Sequence, residues 1–298
     1  MRSRLLACTV LGACAFGAIF ACSDFDSSPA IEGLDGGDDA SAADGDPQAP
    51  PPDAGTLDAT GESAYRAAVI ADGPLVYWRM GAPGAANEIA DEMQTGNALY
   101  LQGGGHEQVP GAIGRDGADN RAIRFDGKAS FARAGDPGPL SFIDGAPFTL
   151  ECWARREAVD GGEYFQHLIA KIDGFNDDTR GYSLYVAPYP TAEESGGSMG
   201  DGNDNKQAGV FGRVVAPDVW AHYALVFDGS TLRLYIDGTQ EDVEPSSVKI
   251  PAHPGDFVIG RDPRNGSYHW PGAIDEIAIY GKALTIDTIA RHASLGKL

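Results

Sequence analysis

Two acidic segments of this chain contain the residue types of a metal site. Asp177 and Asp178 end the segment 173–178, and Asp262 follows the apolar run 257–260. Calcium binds about six to eight oxygens from carboxylates, amides and carbonyls, usually on loops. Each segment, with Asp177 and Asp178 in the first and Asp262 in the second, is therefore a candidate for calcium binding on an exposed loop. Ordinary solvated turn residues are the alternative interpretation.

A short aromatic run follows the second acidic segment and could contact a ligand. It consists of Tyr268, His269 and Trp270. Aromatic side chains line many ligand pockets and stack on the faces of sugars. The run also precedes Pro271 and an apolar strand, so Trp270 could equally fill the core. The sequence leaves both alternatives open: a ligand-binding surface at these three residues, or a core position for Trp270.

The histidines do not have the spacing of a metal-dependent hydrolase. The six histidines form no pair four residues apart and no His-Glu-x-x-His motif. His222 lies inside an apolar run and is interpreted as a structural core histidine. The sequence therefore predicts no zinc site of that type.

The elements that must position these residues are many short strands separated by Gly and Asp turns. Asp228-Gly229 and Asp237-Gly238 supply the positive φ that tight hairpins require. Between them, 231–237 alternates apolar and polar residues, which indicates a strand with one buried face. The preceding run 224–227 is apolar on both faces and is expected in mid-sheet. Further strands are expected at 76–80, 122–127, 129–132, 148–155, 181–187, 257–260 and 272–280, with a hairpin around Asp126-Gly127.

This spacing predicts an all-β fold, a two-sheet antiparallel jelly-roll sandwich with short helices at both domain ends. The helices are expected near 63–70, with Ser63 as N-cap, and near 284–292, with Thr285 as N-cap. The Gly-, Asp- and Ser-rich segment 188–206 is expected to be a disordered loop rather than a functional one.

The strand sequences FTLECW, GYSLYV, WAHYALVFDG–LRLYIDG, FVIGR and GAIDEIAIYGKAL occur in this order. The series resembles the concanavalin A-like (laminin G-like, pentraxin-like) jelly roll of bacterial surface proteins, over about residues 64–298. In pentraxin-like domains the two acidic segments meet at one sheet edge and bind calcium. A cysteine in their FTLECW-like strand pairs with one in the strand that here contains His222, where this chain has none. The resemblance thus implies that Cys152 is buried and unpaired.

The resemblance also bears on catalysis. Relatives that hydrolyse glucans carry two glutamates in a Glu-x-Asp-x-x-Glu strand, as nucleophile and acid/base. The matching segment here places Asp275 in the centre and alanines, Ala273 and Ala278, at the two glutamate positions. Glu276 is expected to point to the other face of the strand. We therefore expect a protein that is not an enzyme.

The N-terminus has the pattern of a bacterial export signal. Arg2 and Arg4 precede an apolar stretch that ends at Cys22 in a lipobox-like sequence. The predicted organisation is a lipoprotein signal peptide at 1–21, a disordered acidic tether at 22–62 and one domain at 63–298. Lipidation of Cys22 would anchor the protein to a membrane of the bacterial cell envelope. An ordinary signal peptide and a secreted protein are the alternative.

The charge of the chain excludes one class of partner. The net charge is −21, and residues 1–62 hold two arginines and eleven acids, so residues 63–298 carry −12. A domain this acidic is not expected to bind nucleic acid. We expect a non-catalytic binding or adhesion module for a glycan or protein ligand at the cell surface. A glycoside hydrolase of the same fold and a structural envelope protein are the alternatives.

Overall fold

The structure is a computed structural model that describes residues 63–297, apart from 82, 85–86, 115, 117–119, 159–164, 176–177, 190–191 and 204–206. The predicted signal peptide, Cys22 and the acidic tether lie outside the described residues. Within the described part of the chain, no helix is long and apolar enough to cross a membrane.

Among the described residues, two α-helices and sixteen strands make up most of the regular structure. The helices are α1 (Ala64–Ala71) and α2 (Ile286–Lys297). The strands are β1 (Val76–Trp78), β2 (Glu88–Ile89), β3 (Leu99–Gln102), β4 (Glu107–Pro110), β5 (Arg121–Asp126), β6 (Phe131–Gly135), β7 (Phe148–Arg156), β8 (Gln166–Asp173), β9 (Arg180–Tyr189), β10 (Ala192–Asp201), β11 (Gln207–Gly212), β12 (Trp220–Phe227), β13 (Thr231–Ile236), β14 (Thr239–Pro245), β15 (Phe257–Ile259) and β16 (Pro271–Tyr280).

The strands form two eight-stranded antiparallel sheets. Sheet A has the order β14-β13-β12-β7-β16-β5-β4, with β1 also paired to β16. Sheet B has the order β11-β10-β9-β8-β15-β6-β3-β2. The predicted all-β two-sheet sandwich is confirmed, and so are its two short terminal helices.

The main core fills the space between the two sheets. Leu225 of β12 and Leu184 of β9 belong to this core and are fully buried. The two sheets lie close together at Gly197 of β10. A Cβ added there would lie 2.2 Å from Leu225 Cδ1. Cys152 lies in this core without a disulfide partner, as expected. Burial raises the pKa of its thiol, so it acts as a small apolar side chain.

A second, smaller core lies on the outer face of sheet A, beneath the two helices. Tyr65 and Val69 of α1 and Ile289 of α2 pack there with Trp153 and Tyr280 of the sheet. Both helices therefore cover sheet A. Neither of these described helices covers the outer face of sheet B.

Sequence signals at the helix starts are confirmed. The Ser63 hydroxyl accepts a hydrogen bond from Arg66 N at 3.3 Å, and Thr285 Oγ1 accepts one from Thr288 N at 3.2 Å. Helix α2 continues to Lys297, beyond the expected end at residue 292. In this last turn Gly296 packs directly against Trp153, where a Cβ would lie 2.2 Å from the indole ring.

The hairpin prediction for 220–238 is confirmed. Strands β12 and β13 pair with Leu225 opposite Leu234, and β12 lies in mid-sheet between β13 and β7. Asp237 and Gly238 both adopt positive φ, of 54° and 79°, as a tight turn between β13 and β14 requires.

Two predictions about strands are wrong. The turn at Asp126-Gly127 does not form a hairpin, because β5 belongs to sheet A and β6 to sheet B. Instead, Asp126 Oδ1 accepts hydrogen bonds from three successive backbone N–H groups and holds the chain as it changes sheets. The segment 188–206 was expected to be a disordered loop, yet its residues 192–201 form strand β10, paired with β9 and β11.

Candidate functional site

The outer face of sheet B carries one continuous row of side chains across seven strands. Strand pairing places its members directly opposite one another, and the row consists of Tyr100, Arg133, Val258, Ala170, Ser183, Ser198 and Gly209. Neighbouring strands lie about 4.8 Å apart, so six strand spacings extend over roughly 29 Å. Ser183, Ser198 and Gly209 are small and leave space above β9, β10 and β11, whereas Val258 and Ala170 are fully buried.

A second row lies beside the first and supplies aromatic walls. His167, Tyr185, Gly196 and Phe211 are opposite one another on β8, β9, β10 and β11. The two rows border a cavity of about 360 Å³ that Phe165 also lines. This volume is within the range of about 300–1,000 Å³ that is usual for ligand sites. We call this cavity the sheet B groove.

Aromatic rings surround one end of the groove. Phe165 makes edge contacts with Tyr185 and Tyr268, at centroid distances of 5.2 and 5.6 Å. Phe211, on the edge strand β11, is 47% exposed. The rings of Phe165, Tyr185 and Phe211 thus offer apolar surfaces to a ligand, and Tyr268 supports them from behind.

Glycines in β10 create the space for these rings. A Cβ at Gly196 would lie 2.5 Å from Tyr185 Cζ. The tyrosine ring can therefore lie across the neighbouring strand only because residue 196 has no side chain. The sequence Ser195-Gly196-Gly197-Ser198 thus has a double function: Gly196 admits the ring on the outer face, and Gly197 admits Leu225 on the inner face.

Polar groups accompany the aromatic rings. Ser183 Oγ and Ser198 Oγ share a hydrogen bond of 3.0 Å at the centre of the groove. Thr179, Gln207 and Arg264 also line the cavity. Few but well-placed polar groups in an aromatic setting are typical of sites that orient a polar ligand.

His167 is a buried polar group in the groove wall that lacks a full set of partners. The side chain is buried, and within the described residues its Nδ1 has no hydrogen-bond partner. Burial, helped by the charge of Arg264, lowers the pKa of His167 to about 4 despite Asp262. The ring is therefore neutral at pH 7, and Nδ1 can accept a hydrogen bond from a ligand hydroxyl, or donate one, according to its tautomer.

Asp262 is not on an exposed loop, and that expectation is wrong. Its side chain is fully buried, and its carboxylate accepts hydrogen bonds from Arg264 N at 2.8 Å, Nε at 3.0 Å and Nη2 at 2.6 Å. Burial opposes ionisation, but Arg264 and His167 outweigh it and lower the pKa of Asp262. Asp262 therefore fixes Arg264 and the loop beside the groove.

The residues around Asp262 do not fit a calcium ion. The Arg264 guanidinium occupies the carboxylate edge at which a cation would bind. Asp178 is exposed, and Asp177 lies outside the described residues. Among the residues that the structure describes, no three of His, Cys, Asp and Glu are grouped so that they could hold a metal. Calcium binding near Asp177 and Asp178 stays a prediction.

The aromatic run 268–270 is only partly at the surface. Trp270 is fully buried in the main core, so it is the core plug and not a sugar platform. His269 is also buried, at 8% exposure. Tyr268 is half-buried and packs beside His167 and Phe165 at the groove. The expected three-residue ligand surface is therefore reduced to Tyr268.

Asp275 and Glu276 point to the same side of the sheet, contrary to expectation. A β-bulge between Asp275 and Ala278 and the positive φ of Glu276, 49°, rotate the second carboxylate. Asp275 Oδ2 accepts from Ala112 N, and Glu276 Oε1 accepts from Asn120 Nδ2 at 2.9 Å. The bulge, which adds a residue to one strand, breaks the alternation that the sequence analysis assumed.

This carboxylate pair belongs to a buried network rather than to the groove. Glu276 also bonds to the hydroxyl of Tyr77 and to Arg79 Nε at 3.1 Å. Burial raises the pKa of Glu276 despite Arg79, and burial together with the Glu276 charge raises that of Asp275. The network holds strand β1 and the loop at Ala112 to β16, which is a structural role.

Strand β10 contains a serine motif that was not recognised in the sequence, and it lies in the groove. Residues 196–200 (GGSMG) match the Gly-x-Ser-x-Gly pattern of a nucleophile elbow. A true elbow is a sharp turn from strand to helix, whereas Ser198 lies in the middle of β10. Its hydroxyl bonds to Ser183 rather than to a base. Ser198 is therefore a groove residue and not a nucleophile.

The sequence and fold of this chain are similar to those of known proteins. A family model described as the concanavalin A-like lectin/glucanases superfamily matches residues 126–290. No curated protein sequence matches the chain.

Solved structures of similar fold include several binding domains. The binding domain of Paraclostridial Mosquitocidal Protein 1 has a TM-score of 0.57 and 15% identity, covering 73% of this chain and 51% of that chain. Domain 4 of AbnA, a GH43 extracellular arabinanase from Geobacillus stearothermophilus, in complex with arabinotriose, has a TM-score of 0.52 and 17% identity, covering 74% and 98%. The botulinum neurotoxin serotype G binding domain has a TM-score of 0.54 and 12% identity, covering 74% and 50%.

These similarities establish the fold. The chain spans about half the length of the two toxin domains and nearly all of the arabinanase domain. At such low identities they carry no ligand over to this protein. Because the family model covers more than half of the chain and the two-sheet architecture agrees with it, the protein belongs to the concanavalin A-like lectin/glucanases superfamily.

Proposed function

We propose that this protein is a non-catalytic binding module that holds a glycan in the sheet B groove. The observation that carries the proposal is the groove itself: about 360 Å³, walled by aromatic rings and bordered by hydroxyl and amide side chains. Sugars combine apolar faces with hydroxyl edges, and the groove offers both kinds of surface.

His167 supports this assignment. A buried ring nitrogen without a partner costs free energy, on the order of 1–3 kcal/mol. A sugar hydroxyl that reaches Nδ1 would recover that cost, and a purely apolar ligand would not. Because His167 is neutral at pH 7, a ligand that covers it does not bury a charge.

Three solved structures of similar fold agree with the proposal in kind. The arabinanase domain was solved with arabinotriose, and the toxin structures are binding domains. We propose the same general role here, which is binding without chemistry. The groove brings Ser183 and Ser198 together with His167, and no carboxylate pair stands among the described residues that line it, so a glycoside hydrolase is the weaker alternative.

We further propose that the module is displayed at the bacterial cell envelope. The lipobox-like sequence at Cys22 and the acidic segment that follows support a lipid anchor and a tether. In this arrangement the ligand would be a polysaccharide of the cell surface or its surroundings. A protein ligand at the same groove is the competing outcome of the experiment below.

A glycan array that includes arabinotriose, probed with the purified domain, tests the proposal. Phe211→Ala removes an exposed groove ring, and binding should weaken about tenfold or more, as for aromatic contacts in other binding sites. Ile286→Ala is the matched control, because Ile286 is 50% exposed but lies on α2, away from the groove. Absence of binding to every glycan, or equal binding by the two variants, would contradict the proposal. Release of reducing sugar would favour the hydrolase.

A further inference from the structure

We propose that the ligand of the sheet B groove is an acidic glycan, whose carboxylate or sulfate group binds Arg261. This inference rests on the proposed function and adds the chemical class of the ligand. It comes from one arginine on the same face of sheet B, stacked above β6, in a chain that has about twice as many acids as bases.

Arg261 is stacked but not neutralised. Its guanidinium carbon lies 3.4 Å from the centroid of the Phe131 ring. Among the described residues its Nε has no hydrogen-bond partner, although that atom is buried. Most arginines that the structure describes lie beside a carboxylate, for example Arg124 and Arg213. Arg261 differs from them, although the chain has about twice as many acids as bases.

The acidic residues nearest to Arg261 already have partners. Asp256 pairs with Arg133 at 2.9 Å, and Asp262 pairs with Arg264 at 2.6 Å. Burial and the neighbouring charge of Arg133 lower the pKa of Arg261, which means that its environment disfavours the cation. An anion bound at this position would stabilise the charged guanidinium. The site therefore has a positive charge that a ligand can neutralise.

The stacking on Phe131 holds the guanidinium ready for such a ligand. A planar guanidinium can bind a carboxylate or sulfate through two parallel hydrogen bonds, and stacking fixes its plane. A Cβ at Gly266 would lie 3.1 Å from Arg261 Nη1, so the glycine keeps that nitrogen clear of side chains. Phe131 itself adds an aromatic surface for the sugar ring that carries the acid.

Arg261 is within reach of a ligand in the groove. Its guanidinium stacks on Phe131 of β6, and β6, β15, β8 and β9 are consecutive strands of sheet B. At about 4.8 Å per strand, β6 and β9 are roughly 14 Å apart, a distance that a short oligosaccharide covers. The loop of Arg261 and Arg264 thus links the groove to the stacked arginine.

Matched glycans test the inference. Each acidic oligosaccharide is printed beside a neutral counterpart: uronic acid oligomers beside their methyl esters, and sulfated oligosaccharides beside their desulfated forms. The wild-type protein should bind acidic members at least about tenfold more tightly, as expected for a charge-assisted hydrogen bond. The two kinds of pair distinguish a carboxylate from a sulfate.

Three variants complete the experiment. Arg261→Gln should abolish the preference for acidic members while binding to neutral members persists. Arg121→Gln, on sheet A, makes the same change of charge and should keep the preference. Phe211→Ala should weaken both kinds of ligand.

The outcomes separate the two proposals. Equal binding of acidic and neutral members, or a preference that survives Arg261→Gln, would overturn this inference and leave glycan binding in place. If no glycan of either kind is retained, both the inference and the proposed function are wrong.

Discussion

At the residue scale, His167 and Asp262 determine the chemistry of the groove wall. Asp262 neutralises Arg264, and Arg264 in turn contributes to keeping His167 uncharged. His167 and Asp262 are both buried, so packing fixes the positions of their side chains. The groove is therefore neutral at its centre, and the uncompensated charge lies at Arg261.

His167 makes stability depend on pH in a predictable direction. Its pKa in the folded protein, about 4, is below the ordinary value of 6.5, so between these values the unfolded chain binds a proton that the native protein does not. This contribution to stability is complete above pH 6.5 and is lost as the pH falls to about 4. It amounts to roughly 3 kcal/mol. Urea unfolding should show a smaller loss over this range for His167→Gln than for the wild type.

Asp262→Asn tests the ion pair with Arg264. The substitution leaves a partly buried guanidinium without its counter-charge, and unfolding free energy should drop by about 3 kcal/mol. Because the carboxylate holds a guanidinium and not a metal, the loss should be the same with and without millimolar calcium. A loss that appears only when calcium is present would show that Asp262 is a metal ligand.

Residue types gave part of the site in advance, but not its geometry. Tyr268 was identified from the aromatic run. Asp262 was assigned to the surface, and Trp270 was left open between surface and core, because the sequence does not show which side of a turn faces the core. Glu276 was misplaced because a β-bulge leaves no clear mark in the sequence. Tyr185, by contrast, could have been suspected, since it alternates with core residues in a strand opposite a glycine-rich segment.

At the element scale, strand β10 makes the groove possible. Glycines make no side-chain contacts, so the sequence of this segment predicted disorder. In the structure they are the positions at which Tyr185 and Leu225 need room. Long apolar strands such as β12 and β13 were predictable because their alternation and Asp-Gly turns are local signals, whereas β10 is specified by residues on other strands.

A substitution at Gly196 tests the role of β10. Gly196→Ala would place a Cβ 2.5 Å from the Tyr185 ring, which must swing into the groove. Glycan binding should fall about tenfold, while the melting temperature falls by only a few degrees because the ring borders the groove and can move into it. Gly104→Ala is the control, since no atom lies within 4 Å of its added Cβ. Unchanged glycan binding by Gly196→Ala would contradict this account of the strand.

Helix α2 is held to sheet A by a buried histidine. His292 Nδ1 lies 3.1 Å from Glu151 Oε1, and Nε2 lies 3.0 Å from Asp72 Oδ2, beside the end of α1. Burial opposes protonation, but the Glu151 and Asp72 charges outweigh it and raise the pKa of His292. The protonated ring therefore joins α2 both to the sheet and to α1.

The pH dependence of this contact is opposite in sign to that of His167. Stabilisation by His292 is complete below its ordinary pKa of 6.5 and is lost as the pH rises through its higher folded value. His292→Gln should cost about 3 kcal/mol at pH 6, because buried Glu151 loses its cationic partner and keeps the neutral hydroxyl of Tyr280 at 2.7 Å. The cost should be smaller at pH 9. Urea unfolding at the two pH values measures both, and a cost that grows with pH would exclude this role.

At the scale of the whole molecule, the two sheets have different functions. Helices α1 and α2 cover the outer face of sheet A and form a second core there. Sheet B packs on sheet A with one face, and the groove proposed to bind the ligand lies on the other. The strongly acidic composition, with −12 on residues 63–298, makes the uncompensated Arg261 a local exception. This division of labour explains how a fold shared by many proteins can provide a specific site.

The central claim is that a glycan binds on the outer face of sheet B, and mapping the bound ligand by NMR tests it most directly. The glycan that the array retains most strongly is titrated into ¹⁵N-labelled protein. The account predicts that the largest amide shifts lie at Ser183, Tyr185, Ser198, Phe211 and Arg261, with little change under α2. Shifts centred on the loops at Asp178, or on sheet A and its helices, would contradict it.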